Sequence, residues 1–311
     1  MKHRKFYFTQ RYGFTMVEAI FVIVILGIVA SVGSSIIVKV YESYIMEKAI
    51  HNASAKTELA INQIANRLVY RIDQSMLARD PTTTVYTYGT TVYPIREVPL
   101  GSVDTYRGLE WIGYDNDGFS ASSSPAWSGF VDLNASSYGS LISTASNFAS
   151  ENTILNNLAG GGGAGNPAIY FLGESEYKNG SFYDAMCMYN NTGCIFPVTL
   201  SGNTLTITGG DIATGQMIYT EMYQLAASAY AVIPVVTTAV NGVPLWDLRF
   251  YYNYQPWLGQ TLANASSSLL LKNVSVFRFK HEINSVRIKL CTLEQIGDTH
   301  ISICKEKAVI R

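Results

Sequence analysis

Between positions 14 and 38 the chain runs for 25 residues with a single ionisable side chain, Glu18. As a helix this stretch would span ~37 Å, enough to cross a bilayer with some tilt. A carboxylate inside such a segment is costly and calls for a cationic partner. The residues before it supply only one sign of charge: Lys2, Arg4, Lys5 and Arg11 precede Gly13, with no acidic residue among them. A basic flank of this kind keeps residues 1–13 on the cytoplasmic side and sends the bulk of the chain across the membrane.

An ordinary secretory peptide would be cut after the apolar run, near Ala30, and would leave Glu18 unexplained. An uncleaved anchor explains the length of the run but neither Gly13 nor Glu18. If the chain is cut after Gly13, the new α-amine of Phe14 becomes the missing cation, at a helix end that also favours negative charge through its dipole.

Gly13-Phe14-Thr15-Met16-Val17-Glu18 resembles the class III signal of type IV prepilins and pseudopilins. In that family a prepilin peptidase removes the short leader after glycine and the exposed phenylalanine is N-methylated. The resemblance implies that Gly13 and Phe14 are the processing site and that Glu18 neutralises a neighbouring subunit's N-terminal amine during filament assembly. It covers the first 40 or so residues. Long chains of this family are usually minor subunits near the tip of a type II secretion pseudopilus or a type IV pilus. One minor pseudopilin type commonly lacks the glutamate, so Glu18 argues against that member.

Past the membrane segment, Ile50, Ala53, Thr57, Ile61, Ile64, Leu68, Ile72 and Met76 recur every three or four residues, with charged residues between them. This periodicity predicts a single helix running to about Ala78, stopped by Asp80-Pro81, with its apolar stripe packed on a globular head. At about 65 residues it would be ~97 Å long. Gly27 and Gly33 are candidate points of helix flexibility, or small residues at a helix contact.

The expected organisation is a leader (1–13), a transmembrane and assembly helix (14–38), an amphipathic continuation of the stalk (39–80) and a β-rich periplasmic head (81–311). The fold class is α+β: a long N-terminal helix packed on an antiparallel sheet, as in pilins. In the head, residues 84–98, 109–114, 168–172 and 204–207 read as strands, and a short helix is expected within 134–158. Residues 223–236 form an apolar run, Asn241-Gly242 marks a turn, and 245–254 alternates with Trp246, Leu248, Phe250, Tyr252 and Tyr254 on one face.

The four cysteines fall into two close pairs, Cys187 with Cys194 and Cys291 with Cys304. In an oxidising compartment these make two local disulfides, and neither Cys-x-x-Cys spacing nor paired histidines supports zinc. In the last two apparent strands each cysteine lies opposite the aliphatic residues, so a hairpin brings Cys291 and Cys304 to one side.

Other chemistry finds little footing. Removing the four leader cations from 22 basic residues leaves 18 against 23 acidic, a net charge of −5, with no basic patch to favour nucleic acid. Gly160 to Gly165 lacks the following Gly-Lys-Ser/Thr of a phosphate loop. Asp115-Asn116-Asp117-Gly118 resembles the middle of a calcium loop, and some pseudopilins bind calcium. An EF-hand register, however, would place Gly113 and Ser124 at the end ligand positions, and the same residues suit an Asx or glycine turn. Asp115 and Asp117 therefore stand as weak calcium candidates, with no cofactor expected. His51, His281 and His300 have no catalytic setting, so the reading is non-enzymatic.

The expected function is a minor structural subunit, inner-membrane anchored, whose partners are the prepilin peptidase, other subunits, an inner-membrane assembly platform and lipid. The competing reading is a pilin-anchored adhesive or ligand-binding module.

Overall fold

The computed structural model describes residues 13, 15–120, 124–158, 166–172, 195–209, 220–240, 242–297 and 299–310. Leader residues 1–12, Phe14, the glycine run 160–165, and Cys187 with Cys194 lie outside the described residues. The chain divides into two units after Asn52.

The first unit contains the apolar part of a helix, α1 (Met16–Leu68), whose remainder belongs to the second unit. Thr15 sets its start. The Thr15 hydroxyl accepts from the Glu18 N–H at 3.4 Å and its carbonyl accepts from Ala19 N–H at 3.1 Å, satisfying donors that a helix end leaves without partners. Met16, Ile20, Ile23, Leu26 and Ile37 are all more than half exposed, so this apolar surface has no cover among the described residues.

In the second unit the buried residues of α1 are Ala53, Thr57, Ala60, Ile61, Ile64, Ala65 and Leu68. They are the expected stripe at helical spacing, except that Ile50 is exposed and the helix ends ten residues early. The predicted continuation to Ala78 is wrong for a local reason. The Arg71 guanidinium turns back onto the last turn, its Nη1 donating to Leu68 O at 2.9 Å and its Nε to Asp73 at 2.9 Å. Ile72 and Met76 are buried as expected, but they flank a 3-10 turn (Asp73–Ser75) that leads into strand β1 (Leu77–Arg79).

The strands then follow as β2 (Val92–Pro94), β3 (Gly108–Tyr114), β4 (Asp132–Ser137), β5 (Ser140–Ile142), β6 (Ala168–Phe171), β7 (Ile195–Ser201) and β8 (Thr204–Ile207). The five long ones come last: β9 (Tyr223–Val240), β10 (Val243–Tyr254), β11 (Ser266–Glu282), β12 (Ser285–Ile296) and β13 (Thr299–Ile310). Two short helices, α2 (Asn116–Phe119) and α3 (Phe148–Leu158), interrupt the series. Residues 84–98, expected as one strand, hold only β2 amid turns, and the interval 134–158 holds β4 and β5 as well as its helix.

All pairings between these strands are antiparallel, in the order β13-β12-β11-β10-β9-β6-β7-β8-β5-β4. Strand β9 is long enough to take β10 and β6, end to end, along one edge and β3 along the other, with Ala226 paired to Tyr114 of β3 on one side and Ala168 of β6 on the other. The fold is α+β, a long N-terminal helix with a large antiparallel sheet. The second half of α1 packs on the sheet through Ile61, Ile64 and Leu68, which share a core with Trp111, Leu248, Phe277, Ile288 and Leu290. Each such aliphatic or aromatic side chain taken fully from water contributes ~1.5–3 kcal/mol.

Alternation in β10 holds only as far as Tyr252. Trp246, Leu248 and Phe250 join the core under α1, but Tyr254, expected on the same face, belongs to the opposite cluster with Tyr251. The register of β10 against β9 shifts between Tyr251 and Tyr254, and Asn253 there adopts φ 57°. An extra residue in one strand reverses the side-chain parity beyond it.

Candidate functional site

Four of the predicted assembly residues lie on or beside the first unit's helix. Gly13 is exposed; Glu18 is in the first turn of α1, also exposed; Gly27 and Gly33 lie in uninterrupted helix. The Glu18 carboxylate has no hydrogen bond or ion pair among the described residues, although its backbone N–H is capped by Thr15. The order Thr15-x-x-Glu18 is a helix-start signature that sequence reasoning passed over. A Cβ built on Gly27 or Gly33 would meet nothing within 4 Å, so nothing among the described residues requires glycine at either position. Among the described residues, α1 is the one helix long and apolar enough to cross a bilayer.

The C-terminal cysteines meet as the alternation predicts. Cys291 of β12 is directly opposite Cys304 of β13, and the two form a disulfide. Val286, Ile288 and Leu290 on the other face are fully buried, beneath α1. On that face Thr57 of α1 shares a hydrogen bond of 3.1 Å with Thr292, and Lys307 donates to Asn62 at 2.6 Å. The edge hairpin is thus held by the helix on one side and by the disulfide on the other.

Asp115, half of the calcium candidate, is the cap of α2. Its Oδ2 accepts from Gly118 N–H at 2.8 Å and from Trp127 Nε1 at 3.3 Å, and its backbone carbonyl accepts from the same indole at 2.9 Å. This is the turn chemistry that competed with a metal loop. Asp117 is exposed and does not share these contacts. The residue that joins Asp115 is Glu151 of α3, which no local pattern in the sequence could pair with it. Glu151 is fully buried, and neither carboxyl oxygen has a geometric hydrogen-bond partner among the described residues. Burial, then the charge of Asp115, pushes the Glu151 carboxyl up to about 9. Burial also raises Asp115, against the hydrogen bonds it accepts.

Two further charged clusters bind the head together. Arg79 and Glu110, both fully buried, pair at 2.9 Å, and Glu110 also accepts from Tyr86 at 2.7 Å and from Tyr254. Asp73 receives Arg71 at 2.9 Å and His281 at 3.1 Å, tying the segment after α1 to β11. His281 is therefore placed as a hydrogen-bond partner of Asp73, and His51 is exposed on α1.

Residues 9–34 match the family model of the prokaryotic N-terminal methylation motif. The match takes in Gly13, Phe14, Glu18, Gly27 and Gly33 and stops there. No curated protein and no solved structure matches the chain. The chain carries a prepilin-type signal of the kind found in type IV pilins and pseudopilins, which implies processing by prepilin peptidase and assembly with other pilin subunits. With the apolar helix that follows, it marks a membrane anchor of pilin-type topology.

Proposed function

We propose that the chain is a minor structural subunit of a type II secretion pseudopilus or type IV pilus. It is cut after Gly13, N-methylated at Phe14, and drawn into a helical filament through its N-terminal helix. The observation that carries this reading is the juxtaposition, in one matched motif, of the cleavage glycine and an exposed Glu18 that has no partner among the described residues, at the head of an apolar helix that they leave uncovered. An apolar surface of that extent needs lipid before assembly and sister helices after it. Moving Glu18 from one to the other is favourable only where a cation meets it, and the Phe14 amine of a neighbouring subunit is that cation.

The head is periplasmic in this reading, and a disulfide at Cys291 and Cys304 suits an oxidising space. Its work is non-covalent: it sets the subunit's position and its neighbours. Gly13→Ala tests the premise. The variant should keep the leader and run at higher mass than the processed chain; processing at the wild-type position, with normal assembly, would overturn it. A second reading, an anchored binding module, is favoured by one feature of the head, a polar and aromatic cleft.

A further inference from the structure

A cleft of about 670 Å³ opens where the last turn of α1 meets β9, β10 and the end of α3, a volume typical of small-ligand sites. Its base is a row of half-buried rings. Tyr230 and Phe250 stack with centroids 5.7 Å apart and planes 11° apart, and Tyr252 stacks on Phe250 at 5.9 Å and 21°. Tyr252 ends the row, and its hydroxyl has no hydrogen-bond partner among the described residues. Arg67 sets its guanidinium 5.7 Å from the Tyr230 centroid and has no carboxylate partner among the described residues.

The β10 bulge adds an independent mark. Asn253, at φ 57°, is held by its backbone N–H donating to Ser228 Oγ at 3.0 Å, which places an exposed side-chain amide at the cleft. A left-handed non-glycine residue beside a bulge is a recurrent device for re-aiming a side chain at a site. Asp117 and Gln260 complete the polar rim.

The chemistry of the lining discriminates among ligand classes. One cation faced by Asp115 and Asp117 does not attract phosphates. Only Leu155 and Leu158 offer larger aliphatic surface, too little for a lipid chain. An extended peptide would seek a free strand edge, but β9 and β10 are both paired on either side at this point. Aromatic rings beside planar guanidinium, carboxylate and amide groups match a polyhydroxylated ring, which is apolar on its C–H faces and polar around its rim.

We propose that this cleft is a carbohydrate-binding site that takes a short neutral oligosaccharide, with C–H faces against Tyr252 and hydroxyls on Arg67, Asp117, Asn253 and Gln260. Binding belongs to the head and needs no filament, so its failure leaves the assembly reading standing, and the reverse. The test uses the purified full-length protein in a detergent without a sugar headgroup. It is titrated calorimetrically with neutral oligosaccharides of two to four pyranose units, and with unstructured peptides of similar mass. At least one oligosaccharide should saturate in the millimolar range or tighter. Tyr252→Ala and Asp117→Ala should each weaken it by about tenfold or more, while Tyr252→Phe retains most of the affinity. Asp117 is exposed, so its variant probes binding without burdening the fold. Saturation by none of the oligosaccharides, equal binding of the peptides, or affinity unchanged in both alanine variants would overturn the proposal.

Discussion

Glu151 of α3 and Asp115 at the start of α2 bring their carboxyl groups together over the α-carbon of Gly118, where a side chain would collide with both. Glu151 is wholly buried and its carboxyl is pushed up to about 9, first by burial and then by Asp115. The contact joins two short helices that sequence order keeps apart, and it makes this end of the head sensitive to pH.

The sign follows from proton binding. In the unfolded chain Glu151 titrates at its ordinary 4.5, so between 4.5 and about 9 the folded state holds the extra proton. Stability is then fully present below pH 4.5 and falls as pH rises through that window, by up to ~1.4 kcal/mol per pH unit. Glu151→Gln keeps the shape and removes the titration. Urea midpoints of the variant and the parent should agree near pH 4 and diverge by pH 8, where the variant is more stable by roughly a few kcal/mol. An unchanged pH slope in the variant would contradict the assignment.

Asp73 works in the opposite sense. Burial alone would raise it, but hydrogen bonds and charge from His281 and Arg71 outweigh burial and hold it below 3.8. Its contribution is full above the unfolded value of 3.8 and lost as pH falls through the lower folded value. Asp73→Asn should therefore destabilise the head at pH 6 by ~1–3 kcal/mol, with the difference closing in strong acid. Measuring unfolding at pH 6 and pH 2.5 distinguishes this from a pH-independent packing loss.

The Arg79–Glu110 pair has no solvent to fall back on. Glu110→Ala takes the carboxylate away from a buried guanidinium and removes the acceptor used by Tyr86 and Tyr254, a loss of ~3–5 kcal/mol. The double variant Arg79→Met with Glu110→Leu should recover much of that loss, since an apolar replacement of both partners costs far less than removing one of them. Thermal unfolding of the two variants side by side gives the comparison. A double variant no more stable than Glu110→Ala would count against the pair's role.

Part of this architecture is legible in the sequence alone. The β12–β13 hairpin and its disulfide could be read because alternation every second residue fixes which side each cysteine occupies, and Cys291 and Cys304 fell on the same one. The end of α1 could not be read: Leu68, Ile72 and Met76 are spaced by four, a pattern that a helix and a turn-plus-strand both satisfy. Tyr254 was misplaced because a single extra residue at Asn253 reverses parity without any local mark in the alternation. Glu151 was invisible because its significance lies entirely in a long-range contact. The assembly motif, by contrast, is contiguous, which is why residues 13–18 were the most readable part of the chain.

Glu18 is exposed, unpaired among the described residues, and set one turn into an apolar helix capped by Thr15. If its role were only to favour the helix start, Glu18→Gln would keep most of the benefit, since a capping box accepts either residue. If its role is to meet the α-amine of a neighbouring Phe14, charge is required, and both Glu18→Gln and Glu18→Val should be cleaved normally yet fail to enter the filament. Glu18→Asp keeps the charge on a shorter arm and should assemble in part. Cleavage is followed by N-terminal sequencing of the membrane fraction, and incorporation by the amount of subunit recovered in sheared filaments. Full incorporation of Glu18→Gln would reduce Glu18 to a helix-capping residue and remove charge pairing from the account of assembly.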